Sequence, residues 1–336
     1  MQETMTLKNK RIIIYIVILI FLLWGIKGIW WSGTSDAKSV SLISETTLRQ
    51  ENLISSLKTE VARLQLQLTK CPHGGQDDVS NLPIIYAITP THKRPVQKAE
   101  LTRLSHTLML VPNLRWIIVE DSETKTDVVA KLLAKSGMQF IHLNAATPKE
   151  WKLRAKEPRW NKPRGVIQRN AALQWIRDNV DPGTDGVIYF VDDDNSYSLE
   201  VFDEMRNVKG VGVWPVGLVG GLLVERPKVN MLGKVEGWLT VWSPQRPFAI
   251  DMAGFAVNLK RFFQQSDWKF AYEVEKGYQE SIFLQHFVNS LDELEVKAEN
   301  CTKVYVWHTR TEAVNLNQED VLRKKGKPPS NVGIEV

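Results

Sequence analysis

The chain has 336 residues, 43% of them hydrophobic and 24% charged, with 43 Lys and Arg against 38 Asp and Glu for a formal charge of +5. This is a globular composition, long enough for about two domains or one large α/β domain with accessories. The charge excess is mild and partly local, around the N-terminus and Lys324, Lys325 and Lys327, so it does not point to nucleic acid; 2 cysteines exclude a disulfide framework, and no Cys/His cluster has zinc spacing.

Lys8, Lys10 and Arg11 precede an uninterrupted apolar run from Ile12 to Ile26, "IIIYIVILIFLLWGI"; Lys27 intervenes and "GIWW" continues to Trp31. About 20 such residues cross a bilayer if the lysine snorkels to the interface. Trp30 and Trp31 suit the headgroup belt, and the basic residues keep the N-terminus cytosolic. The expected layout is a cytosolic tail at 1–11, a transmembrane signal-anchor at 12–31 and a lumenal remainder. A cleaved signal peptide is the rival reading, because "GTSDA" follows the run.

Residues 32–82 read as a stem. Apolar residues recur in alternating steps of three and four, with Val40, Thr47, Ile54, Val61 and Leu68 at a, and Ile43, Gln50, Leu57, Leu64 and Cys71 at d. β-branched residues at a with Leu at d favour a parallel two-stranded coil over about 40–71. Cys71 then faces its own copy, so an intermolecular disulfide is expected in an oxidising lumen. The alternative is a single amphipathic stalk helix with a buried free thiol.

After a polar linker from Pro72 to Leu82, strands and helices alternate. "PIIYAITPT" (Pro83 to Thr91) reads as a strand, Val96 to Leu110 as a helix, "RWIIVEDS" (Arg115 to Ser122) as a strand, Asp127 to Ser136 as a helix, Gln139 to Leu143 as a strand, and Arg164 to Val180 as a helix. Another apolar strand then runs directly into charge: "GVIYFVDDDNSYS", Gly186 to Ser198. This alternation predicts an α/β fold with a mostly parallel sheet, in which ligands bind at the carboxyl ends of the strands. Thr91, Asp121 and Asp192 to Asp194 all fall at such ends.

Three adjacent carboxylates at the end of a buried strand repel unless something positive meets them. A solvated acidic turn is the ordinary explanation, but the apolar run leading into it favours a ligand. Manganese or magnesium is a natural partner for few carboxylates plus phosphate oxygens. There is no GxxxxGK[ST] and no GxGxxG, so phosphate would be held by the metal and by basic side chains. "PRGVIQRNAAL" supplies Arg164 and Arg169 at the opening of a helix, whose N-terminus also favours anions.

"VDDDNSYS" resembles the DxD signature of metal-dependent nucleotide-sugar glycosyltransferases of the GT-A fold. With it stand "TPTHKRPVQKAELTRLSHTL", "RWIIVEDS", "PRGVIQRNAAL", "VGVWPVGLVGGL", "RPFAIDMAGFAVNL", "GYQES" and "VWHTRTE". Together they resemble the β-1,3-glucuronyltransferases, from about Pro83 to Val336. That family includes the enzyme completing the proteoglycan linkage tetrasaccharide and those making the HNK-1 epitope. The layout of anchor, stem and catalytic domain also resembles Golgi transferases.

The resemblance implies a Rossmann-like UDP-sugar-binding half at 83–195 and an acceptor-binding half at 196–336. It implies UDP-glucuronic acid as donor, manganese bridging its phosphates, and a galactose-terminated glycan as acceptor. Asp194 matches the direct metal ligand; Asp192 and Asp193 match residues holding ribose and donor sugar. Pro90, Thr91, Asp121, Arg164 and Arg169 match nucleotide-binding positions, and His308 and Arg310 match a pair near the diphosphate and donor sugar. Position 92 departs: the family usually has Tyr stacking on uracil, and this chain has His92. Lys276 stands where a relative can have Arg, near the donor carboxylate. Glu225, Arg246 and Asp251 match positions near the acceptor galactose. Gln318 matches a residue that can reach a partner's acceptor site, implying a homodimer through stem and C-terminal exchange. Glu280 of "GYQES" matches the base for inverting transfer, although a Glu in the first turn of a helix running to Val288 is also favoured by the helix dipole.

Trp238 and Trp242 are expected in the core, where Trp is more often found than stacked on a sugar. Cys301 reads as a buried thiol just before a strand, "KVYVWH", and Asn300-Cys301-Thr302 as an N-glycosylation sequon. Rival readings are an HNK-1-type enzyme acting on Galβ1-4GlcNAc, a GT-A transferase of another sugar, a metal-dependent phosphohydrolase, and a non-catalytic lumenal lectin or scaffold. No His-rich second metal site supports the hydrolase, and a lectin has no need of Asp194, Glu280 and both arginines.

Overall fold

The computed structural model describes residues 82–332 apart from 154–156, 158–161 and 313, together with Gln50, Leu53, Ile54, Leu57 and Lys58. Those five stem residues are helical. The expected membrane span, most of the stem and Cys71 lie outside the described residues. Among the described residues no helix is long and apolar enough to cross a membrane.

The first half alternates as its sequence predicts. Strand β1 (Ile84–Thr91) is followed by α1 (Gln97–Leu108), β2 (Leu114–Glu120), α2 (Asp127–Ser136), β3 (Phe140–Asn144), α3 (Val166–Asn179) and β4 (Gly186–Phe190). The strands are apolar along their length because the sheet is covered on both faces. Ile84, Tyr86, Ile88, Ile188 and Phe190 enter one core cluster, and Ile85, Ala87, Val187, Tyr189 and Val191 enter the other. Helix α2 has a clear stop and start: Thr126 accepts from the Val129 N–H, and Gly137 closes the helix at φ 68°.

The second half contributes β5 (Ser196–Tyr197), α4 (Leu199–Arg206), β6 (Val211–Val213), β7 (Val216–Gly217), β8 (Val224–Val229), β9 (Val235–Leu239), β10 (Phe255–Asn258), α5 (Leu259–Gln264), α6 (Gln279–Gln285), β11 (Glu295–Val296), β12 (Val306–Trp307) and α7 (Asn317–Lys324). Seven strands form one sheet in the order β11-β6-β10-β4-β1-β2-β3, and five form another in the order β5-β12-β7-β8-β9. β4, β1, β2 and β3 run parallel; β10 is antiparallel to both β4 and β6. The fold is thus α/β with a largely parallel sheet, and strands from both sides of residue 195 share it.

Several elements are shorter than their sequences suggest. The helix from Glu280 stops at Gln285, because His286, Phe287 and Val288 close it as a turn. "KVYVWH" pairs only at Val306 and Trp307, because its neighbours β5 and β7 are two residues long. The α1 helix ends at Leu108, where Leu110 and Val111 turn back onto Thr107 and Leu108.

Trp238 is buried at 9% exposure, as expected of a core residue, but Trp242 is not core: it is 46% exposed. It lies beyond the end of β9, over the backbone of Gly277. Cys301 is fully buried, which pushes its thiol up to about 12. The sequon falls on a left-handed turn, Ala298 to Cys301, with φ between 51° and 58°. That turn buries Ala298 and Cys301 and leaves Asn300 exposed.

Candidate active site

The chain turns sharply after β4, and each of the three aspartates meets a different environment. Asp192 pairs with Arg169, Nη2 to Oδ1 at 2.6 Å. Asp193 is buried; its Oδ1 meets Arg94 at 2.7 Å and its Oδ2 accepts from Thr91 Oγ1 at 2.7 Å. For Asp194 it is the backbone carbonyl that is held, by Arg103 Nη2 at 2.9 Å and Thr309 Oγ1 at 2.6 Å. Among the described residues no hydrogen bond or ion pair engages its carboxylate. Burial raises the Asp194 carboxyl above its ordinary range, and the charges of Asp192 and Asp193 raise it further. A partly buried carboxylate in a negative field suits a hard cation. Among the described residues no group of three or more His, Cys, Asp or Glu gathers as a ligand set. A cation here would therefore take most of its oxygens from ligand and water, which is how magnesium-like ions bind beside phosphates.

The residues expected to hold the nucleotide lie around this turn. Thr91 ends β1 and Asp121 follows β2, so the sheet brings both to one edge. The Asp121 carboxylate is fixed by the backbone N–H and the hydroxyl of Thr147, at 2.7 and 2.9 Å. Gly165 enters α3 at φ 72°, and a Cβ there would come within 2.5 Å of Arg169 Nη1 and 3.2 Å of Pro90 Cγ. Only glycine lets Pro90 and the Arg169 guanidinium pack this closely. Arg164 is exposed, and its carbonyl accepts from Arg169 Nη1 at 3.0 Å. His92 is exposed as well; loss of hydration and the Arg94 cation lower its imidazole, and Asp193, Arg164 and Asp121 also lie within its field.

The second half closes the site from the other side. Arg246 is buried and donates to the carbonyls of Trp242, Ser243 and Gly277, at 3.1, 3.2 and 2.9 Å. Glu225 on β8 accepts from Thr240 Oγ1 at 2.7 Å and lies 3.8 Å from Arg246 Nη2. Asp251 accepts from the Ala253 N–H at 3.0 Å and faces His308 Nδ1 at 3.2 Å. Arg310 Nη2 is 3.4 Å from His308 Nε2. Glu280 lies in the first turn of α6. Burial, and after it the Asp251 charge, push its carboxyl up to about 7, against the opposing pull of Arg246 and Arg169. Glu280 thus lies in the field of both Arg169 and Arg246.

One sequence-predicted residue, Gln318, stands apart from this cluster. It is exposed on α7, with nothing in the described chain tying it to Glu225, Arg246 or Asp251, whereas Lys276 is exposed next to Gly277. Conversely, Arg94, Gln97, Glu100, Arg103, Thr147 and Thr309 hold site residues and were not singled out from the sequence. The available signal was weak: Gln97 and Glu100 share a helix face, yet they read as ordinary polar positions of α1.

Carboxylates gathered against arginines at the strand ends of an α/β sheet suit a glycosyltransferase, and the chain is similar to proteins of that class. The model of glycosyltransferase family 43 matches residues 104–312. The chain is 53% identical to galactosylgalactosylxylosylprotein 3-beta-glucuronosyltransferase I of Drosophila melanogaster, over 76% of this chain and 84% of that one. It is 49% identical to the human protein named galactosylgalactosylxylosylprotein 3-beta-glucuronosyltransferase 3, over 86% and 87%, and 50% identical to the human protein named 3-beta-glucuronosyltransferase 1, over 82% and 81%. The chain belongs to glycosyltransferase family 43.

Proposed function

We propose that this protein transfers glucuronic acid from UDP-glucuronic acid to the 3-hydroxyl of a terminal galactose, and that its acceptor is Galβ1-3Gal of the proteoglycan linkage region. The names of the relatives support the reaction and the acceptor. The observation that carries the reading is Glu280, a carboxyl raised to about 7 within the field of both arginine groups. A general base works best when its pKa lies near the operating pH.

The reaction inverts the anomeric carbon by direct displacement. Glu280 takes the proton of the attacking galactose hydroxyl as the bond to the sugar forms and the bond to UDP breaks. Glu225, Arg246 and Asp251 orient the galactose through strong, directional hydrogen bonds. Pro90, Thr91, His92, Asp121, Arg164 and Arg169 hold the nucleotide, with Asp192 and Asp193 on ribose and donor sugar, Lys276 at the donor carboxylate, and His308 and Arg310 at the diphosphate. Asp194 would hold manganese, or magnesium in its place, and that cation supplies positive charge to the departing diphosphate.

We extend the reading to a single-pass Golgi protein anchored at 12–31 with its catalytic domain in the lumen. The stem heptads support a homodimer, joined at Cys71 and completed by Gln318 reaching the partner's acceptor site. Cys71→Ser should convert a dimer to a monomer on a non-reducing gel; a wild type that already runs as monomer removes the disulfide. The donor reading is tested with a panel of UDP-sugars and one galactose-terminated acceptor. Transfer should be confined to UDP-glucuronic acid, and preferred transfer of another sugar would refute it.

A further inference from the structure

We infer that Arg94 is a positioning residue of the donor site: it locks the segment carrying His92 onto the aspartate turn, and Glu100 holds it there as counter-charge. The inference rests on the UDP-sugar reading above. Arg94 is only 17% exposed in its side chain, and it bridges three groups. Nη2 meets Asp193 Oδ1 at 2.7 Å and also pairs with Glu100. Nη1 donates to the carbonyl of His92 at 3.1 Å. One planar guanidinium thereby fixes the backbone at position 92 and one oxygen of Asp193 in a single frame.

The frame extends further. Glu100 is 4% exposed and also accepts from the Thr311 hydroxyl. Thr311 follows directly on the segment that carries His308, Thr309 and Arg310, and Thr309 itself donates to the Asp194 carbonyl. Gln97 Nε2 donates to Thr91 Oγ1 at 3.1 Å, and Thr91 donates to the second oxygen of Asp193. Both Asp193 oxygens are therefore held from behind, which sets the direction of the lone pairs left for a ligand. Two buried carboxylates share one guanidinium, so the cluster has one negative charge more than positive. Removing Arg94 would leave Asp193 and Glu100 uncompensated, and Asp193 would lose the contact that fixes its Oδ1. That change alters the surface presented to ribose and releases His92.

A merely structural role would change the melting temperature alone. The inferred role separates donor from acceptor. The test uses the full chain in detergent with manganese, and compares wild type with Arg94→Gln, Arg94→Lys and Glu100→Gln. UDP affinity is read by calorimetry, KM by separate donor and acceptor titrations, and folding by thermal melting. Arg94→Gln should weaken UDP binding and raise the donor KM by about 10- to 100-fold, as loss of residues supporting a liganding group does. Its acceptor KM should stay near that of wild type. Arg94→Lys restores charge without the planar fork and should recover part of the loss. Glu100→Gln should cost less than Arg94→Gln, because Arg94 keeps Asp193. Unchanged UDP affinity in a folded Arg94→Lys or Arg94→Gln variant overturns the inference, as does an equal rise in donor and acceptor KM. Absence of UDP binding by the wild type would instead overturn the UDP-sugar reading, and this inference with it.

Discussion

Asp251 and His308 face each other across the candidate site, Oδ2 to Nδ1 at 3.2 Å. Burial works against the Asp251 charge, but His308 and the Ala253 N–H outweigh it and hold the carboxyl below its usual range. The same contact raises His308. Asp251 therefore stays ionised, and its charge is one of the forces lifting Glu280 toward 7. The pair thereby bears on the acidity of the proposed base.

A pH profile reads this coupling. Transfer should rise with pH through about 7 as Glu280 gives up its proton. Asp251→Asn removes a neighbouring negative charge, so the ascending limb should move toward acid even as the maximum rate falls. A limb that stays in place would show that Asp251 does not tune Glu280.

Glu280→Gln separates catalysis from stability. Losing a general base should cost about a hundredfold or more in rate. In the folded chain Glu280 keeps its proton to about pH 7; unfolded, it loses it in the ordinary carboxylate range. Its protonation thus favours the fold fully at acid pH, and that contribution disappears as pH rises through 7. The Gln variant does not titrate. Its stability relative to wild type should improve between pH 5 and pH 8, by about 1–3 kcal/mol. An equal melting difference at both pH values would contradict the raised pKa of Glu280.

Gly165→Ala tests the packing under the nucleotide. The position sits at φ 72° with Arg169 Nη1 only 2.5 Å from an added Cβ. The substitution should cost about 1 kcal/mol or more in stability. It should also raise the donor KM, because Arg169 and its partner Asp192 must shift, while the acceptor KM holds. A donor KM equal to that of wild type would place Arg169 outside the donor site.

Gly277→Ala tests the acceptor side. At φ 85°, its Cβ would lie 2.5 Å from Trp242 Nε1, and its carbonyl accepts from Arg246. Displacing a half-exposed indole and a buried arginine should raise the acceptor KM and leave UDP affinity unchanged. An effect on UDP alone would place Arg246 outside the acceptor site.

The central strands were legible because the sheet is buried on both faces: Ile84 to Ile88 and Val187 to Val191 are apolar without interruption. Helix α2 was legible from Thr126 and Gly137, whose capping roles are local. The strand at "KVYVWH" was legible but not its length, and β5 and β7 were not legible, because each is two residues long and pairs with β12 from a distant part of the chain. The carboxylates at strand ends were visible as charge where burial was expected. Trp242 was misjudged as core because composition cannot show that β9 ends three residues before it. Arg94 and Glu100 escaped notice because a first-turn Glu and a loop Arg have ordinary local explanations; their pairing with Asp193 and Thr311 exists only in the fold.

The most direct measurement is glucuronic acid transfer by the full chain with UDP-glucuronic acid and manganese, offering Galβ1-3Gal and Galβ1-4GlcNAc side by side. Transfer to Galβ1-3Gal that disappears in EDTA and in Glu280→Gln is the predicted result. Transfer mainly to Galβ1-4GlcNAc would contradict the acceptor assignment while keeping the chemistry, and transfer to neither would contradict the function proposed.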